Sequence, residues 1–150
     1  MKKNSLLLLS LIFYVILLGG CKKSGTANNN TDTTVSTPFM SSGAWNISSF
    51  TQKMEDKTAD FSGMDFSFSG DGKVTVTGLK SADGTWSYSP AVTGYYGTTG
   101  TSATFTLNIV SGSTFTNLSR TWNVGTHSAT SLQLNHPEAL EDEHVTFTKK

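Results

Sequence analysis

Three groups of residues carry side chains that could do chemistry. Cys21 is the single thiol of the 150-residue chain, so it has no partner for an intramolecular disulfide and its sulfur is available for covalent modification. His136 and His144 flank Glu138, Glu141, Asp142 and Glu143. These are donor types that gather a divalent ion when a fold brings them together, but their spacing matches no metal motif, and loosely solvated side chains are the favoured reading. Asp60 and Asp65 near a strand start are residue types for general acid and base work, with nothing in the sequence to set their separation. The chain has no Gly-x-Ser-x-Gly elbow, no Gly-x-Gly-x-x-Gly turn and no His-Glu-x-x-His pair, the arrangements that activate a serine, cradle a dinucleotide or hold zinc. The expectation is a protein that is not an enzyme and uses no metal or cofactor.

The residues before Cys21 select among its chemistries. Met1-Lys2-Lys3 is positive and residues 6–18 are apolar apart from Ser10, the order of a secretory signal. Thirteen such residues reach about 20 Å as a helix against roughly 30 Å of bilayer hydrocarbon, too short for a permanent span. Leu18-Gly19-Gly20-Cys21 resembles the lipobox of bacterial lipoproteins. The resemblance implies a diacylglyceryl group on the Cys21 thiol, cleavage after Gly20 and acylation of the new amine. Residues 1–20 are then a signal peptide, and two or more acyl chains, at about 0.8 kcal/mol per buried methylene, hold the remainder at a membrane. Lys22 and Lys23 replace the acidic residues that often route such proteins outward. An outer-membrane anchor facing the periplasm is expected, with the cell surface as the other location.

Residues 21–42 combine this cysteine with a tether of Ser, Thr, Asn and Gly that has too few apolar residues to fold. Such a segment reaches roughly 25 Å. From Cys21 onward nine Lys and Arg stand against eleven Asp and Glu, with no basic run interleaved with aromatics, so nucleic acid is not an expected partner. The remaining length suits one domain with a modest core, at 43–150.

The elements that must position any site in that domain announce themselves by alternation. Met64, Phe66 and Phe68 interleave with Asp65 and Ser67, Val74 and Val76 with Thr75, and Phe105, Leu107 and Ile109 with Thr106 and Asn108. Period-two patterns put one face in a core and the other in water. Strands are predicted at 44–52, 63–69, 73–79, 84–89, 103–111, 118–125, 130–135 and 144–149. Gly70-Asp71-Gly72 and Asp83-Gly84 read as tight turns, and Pro137 opens a segment suited to one or two helical turns. Connections this short join antiparallel neighbours, and closing the meander into a barrel hides its edges.

Gly43-Ala44-Trp45, Met64-Asp65-Phe66-Ser67-Phe68, Gly84-Thr85-Trp86, Arg120-Thr121-Trp122 and Val145-Thr146-Phe147 together resemble the lipocalin-like domain of small bacterial lipoproteins. That implies an all-β, antiparallel, up-and-down eight-stranded barrel over most of 43–150. Such an interior is either filled by side chains or holds one small ligand. Trp86 and Tyr88, with Tyr95 and Tyr96 on a long loop, are the candidate walls of a mouth for a small apolar ligand. The alternative is a packed barrel that meets another envelope protein. Arg120, the only arginine, shares parity with Leu118 and Trp122. In lipocalins an arginine packs across the first-strand tryptophan, so Arg120 is expected to cover Trp45 as a plug, or else to reach solvent from the strand start.

Overall fold

The apolar positions alternate through strands too short and too closely linked to pair in any way but with their neighbours, and the computed structural model shows where that leads. The structure describes residues 40–150 apart from Thr98 and Ser111. Its strands are β1 (Ala44–Gln52), β2 (Glu55–Asp56), β3 (Met64–Phe68), β4 (Lys73–Gly78), β5 (Ala82–Ser89), β6 (Thr104–Ile109), β7 (Thr121–His127), β8 (Ser131–Asn135) and β9 (Glu143–Lys149). From β3 to β9 each strand lies antiparallel to the next, and β1 pairs with both β3 and β9. The eight long strands therefore form a closed antiparallel barrel, and the short β2 extends the end of β1. Closure satisfies the backbone groups that an open sheet would leave on its edges.

The helices among the described residues are 3-10 turns at Thr58–Phe61, Ser113–Phe115 and Ala139–Glu141. The last of these takes the place of the helical turn expected after Pro137. The predicted strands fall on the observed ones with shifts at their ends. β5 starts at Ala82 and not at Gly84, and β7 starts at Thr121, since residues 116–120 still belong to a turn. Asp83-Gly84 is not a turn at all. Gly84 sits inside β5 opposite Val74 and Ile109, and a Cβ there would lie 2.2 Å from the Asn108 carbonyl oxygen. This glycine permits close backbone approach, which resembles a turn signal in sequence.

Inward side chains form one apolar cluster. At its centre Phe68 has ring centroids 5.6 Å from Trp86, 5.9 Å from Phe105 and 5.8 Å from Phe147, each edge to face. That geometry sets the positive edge of one ring on the negative face of the next. In β1 the pairing with β9 slips between Ile47 and Ser49. The extra residue reverses the parity of everything beyond it, so Phe50 points inward after Trp45 and Ile47. Two 3-10 turns then complete the core: Phe61 lies 5.4 Å from Phe50 and 6.4 Å from Phe115.

Candidate functional site

The registers give the barrel two chemically different ends. The Met40 end carries the residues before β1, the 69–72 hairpin, the 90–103 loop, the 128–130 turn and Lys150. The Glu143 end carries segments 53–63, 79–81, 110–120 and 136–142.

At the Met40 end β5 holds Trp86 and Tyr88 on one face, opposite Leu107 and Phe105. Trp86 is buried, lies nearly parallel to Phe105 with centroids 5.6 Å apart, and donates its indole N–H to the Ser69 carbonyl at 2.9 Å. It is a core residue and not the open wall of a mouth, because its ring and its donor are both engaged. Tyr88 is half-buried against the same core. Tyr95 and Tyr96 sit on the loop, exposed by 73% and 91%, with their rings in edge contact at 4.2 Å. A bridge between Val92 and Thr101, with N–H to O distances of 3.0 and 2.9 Å, closes the loop's base. Tyr96 has φ 48° and Gly97 φ 83°, consecutive left-handed residues of the kind a tight hairpin tip uses. Holding a tyrosine there costs about 1–2 kcal/mol. At the neighbouring hairpin the Ser69 hydroxyl donates to Asp71, and the Lys73 ammonium lies 3.1 Å away. Together they hold the Asp71 carboxyl down to about 2.

At the Glu143 end a polar network closes the barrel. Glu143 is 2% exposed, the one buried charged side chain among the described residues. Arg120 meets it at 2.5 Å, Gln52 donates to its other oxygen, and Asn117 donates to Gln52 at 3.2 Å. The guanidinium carbon lies 5.3 Å from the Trp122 ring centroid, and Trp122 donates its indole N–H to the Leu118 carbonyl at 3.0 Å.

The expected plug of Arg120 on Trp45 is therefore not what forms. Trp45 pairs with Lys149 near the Met40 end of β1, whereas Glu143 pairs with Gln52 at the other end. Arg120 does turn inward at a barrel end, but the tryptophan it covers is Trp122, two residues further along at the start of β7. Trp45 is fully buried, and its indole N–H has no hydrogen-bond acceptor among the described residues.

The other candidates are dispersed. His144 contacts Asn135 at 2.8 Å and Asp142 at 3.2 Å, and His136 accepts from the Glu138 N–H at 3.0 Å. Among the described residues no group of three or more His, Cys, Asp or Glu side chains is placed to hold a metal ion. Asp65 pairs with Lys150 while Asp60 lies on the Thr58–Phe61 turn. Leu18, Gly19, Gly20 and Cys21 lie outside the described residues.

No family model matches the chain, and no curated protein does either. Among solved structures it is similar to a DUF4847 family protein from Bacteroides vulgatus, at 15% identity with a TM-score of 0.48, covering 75% of this chain and 96% of that one.

Sequence reasoning missed Gln52, Asn117 and Glu143 as partners of Arg120. For Glu143 a signal was present: it shares parity with Val145 and Phe147 and so had to face inward with them. A lone arginine just before one strand and an in-phase glutamate at the start of another, at the same barrel end, are natural partners, since neither charge tolerates burial alone.

Proposed function

We propose that this chain is a lipid-anchored, non-catalytic envelope protein whose barrel acts through its outer surface, on a membrane or a protein partner, and carries no ligand inside. The observation that supports this reading is the packing of aromatic rings across the interior. Phe68 is in edge contact with Trp86, Phe105 and Phe147 at separations below 6 Å, and of the two interiors open to an eight-stranded barrel, filled by side chains or holding one small ligand, this packing favours the first. The anchor rests on Cys21 and the residues before it. Two measurements test the reading. Tryptophan emission of the purified protein should stay constant across a panel of apolar probes, and labelled fatty acid should enter the wild-type protein but not Cys21→Ser. Saturable quenching by a probe would sink the filled-interior part, and an unlabelled wild type would sink the anchor.

One observation favours a second reading, in which the barrel takes a small apolar ligand bearing a hydrogen-bond acceptor. A buried N–H without an acceptor is costly and uncommon, and among the described residues the Trp45 indole finds none. A ligand oxygen or a buried water would relieve it. Native mass spectrometry of protein released from its own membrane distinguishes them: a non-covalent organic mass on top of the acylated polypeptide supports the second reading, and the acylated polypeptide mass alone supports the first.

A further inference from the structure

The 90–103 loop serves neither the core nor the Arg120 network, yet it is built with care. Its base is bridged, its tip holds a tyrosine in a left-handed conformation, and Val92, Tyr95 and Tyr96 stand exposed by 61%, 73% and 91%. Water is a poor environment for three such side chains on one loop. A tyrosine ring suits a headgroup layer, where its apolar body meets acyl chain and its hydroxyl stays wet.

The position of the loop supplies the rest. It rises from the end at which the described chain enters the barrel. Eighteen residues separate Cys21 from Met40, and a Ser, Thr, Asn and Gly chain of that length spans about 25 Å. β1 by itself, at about 3.3 Å per residue, measures close to 30 Å. An acyl anchor on Cys21 therefore keeps the Met40 end beside lipid more readily than the Glu143 end. Charge agrees with that orientation. At the Glu143 end the acidic set Glu55, Asp56, Asp60, Glu138, Glu141, Asp142 and Glu143 outnumbers Lys53, Lys57, Lys80 and Arg120, whereas at the Met40 end the basic set Lys73, Lys149 and Lys150 outnumbers Asp71. Anionic headgroups repel the first set and attract the second. The exposed apolar residues of the Glu143 end, Met54, Leu79, Val110 and Leu140, stand one to a connection, Met54 and Leu140 in acidic segments.

We propose that the Tyr95 and Tyr96 tip docks into the headgroup layer of the membrane that holds the anchor, setting the barrel upright with its Glu143 end outward. This docking rests on the anchoring read from Cys21. The test uses the whole processed protein in vesicles of phosphatidylethanolamine and phosphatidylglycerol containing brominated acyl chains. Tyr96→Trp and Leu140→Trp place a reporter at two exposed positions on opposite ends. After the emission of the native tryptophans, read from the wild type, is subtracted, emission from position 96 should shift to the blue and be quenched several-fold more than emission from position 140. Equal quenching at the two positions, or none at 96, overturns the docking. Intact mass of the same sample reads acylation separately. An acylated protein with position 96 unquenched loses the docking and keeps the anchor, and an unacylated protein quenched at 96 does the reverse. Hydrogen exchange at the amides of 92–97 in the wild type, slower on vesicles than in detergent, confirms the result without substitution; equal rates contradict it.

Discussion

Glu143 begins β9 with the parity of Val145 and Phe147, so the strand that buries two apolar side chains also carries a carboxylate inward. Its environment makes the charge tolerable, with Arg120 on one oxygen and Gln52 on the other. The arrangement predicts an asymmetry between single and double variants. Arg120→Ala strands a buried carboxylate and should cost about 3 kcal/mol, a fall in Tm of roughly 10–20 °C for a domain of this size. Replacing both partners with apolar residues, Arg120→Met with Glu143→Leu, should recover most of that loss. Chemical denaturation of the three proteins checks this, and a single variant as stable as wild type would refute the clamp. Asp71 offers a second check. Its carboxyl is held from an ordinary 3.8 down to about 2 by the Ser69 hydroxyl and then by Lys73. Because the folded value is the lower one, the hairpin's contribution to stability is present above 3.8 and is lost as the pH falls through about 2. The Asp71 carboxyl carbon, followed by NMR, should titrate near 2 in the wild type and move up in Ser69→Ala.

At the scale of the element, the period-two pattern located all eight long strands because each buries one face and solvates the other. It failed wherever the period broke. The slip between Ile47 and Ser49 turned Phe50 inward, and a bulge leaves no mark on composition that parity counting can use. Asp83-Gly84 carried the residue types of a turn and became strand interior, because a neighbouring backbone needed the space of the missing Cβ. That correction makes its own prediction. A turn would tolerate Gly84→Ala at a small cost, but a Cβ 2.2 Å from the Asn108 oxygen must push β5 and β6 apart. The variant should lose about 1–3 kcal/mol, the scale of an overpacked site, with the largest chemical-shift changes on 107–109. Phe68→Ala removes the hub of the aromatic cluster and should cost about 3–5 kcal/mol; a smaller loss would mean that the interior is looser than its ring contacts indicate.

For the whole molecule, the barrel closes within residues 40–150: each of the eight long strands has two neighbours there. Folding and anchoring should therefore separate. Cys21→Ser should move the protein from the membrane fraction to the soluble one while leaving the thermal unfolding midpoint unchanged, and a midpoint that fell with the acyl chains would show the barrel leaning on the lipid for stability. The expectation of a barrel, its strand count and most of its inward residues were readable because alternation, short connections and the need to hide edges are local or nearly local constraints. The partners at each end were not. Phe61 and Phe115 come from turns with no periodicity, and Arg120 meets a glutamate far along the chain because the barrel brings the starts of β7 and β9 to the same end.

The amino-acid order by itself determined the class of fold and the face on which each strand is apolar, since side-chain alternation and the removal of apolar surface from water act residue by residue. It also placed Cys21 behind a charged and apolar leader. Only the tertiary structure decided which tryptophan Arg120 covers, that Trp86 is sealed into the core, and that two tyrosines share an end with the incoming chain. Those facts depend on register and closure, which emerge when distant strands compete for the same interior volume.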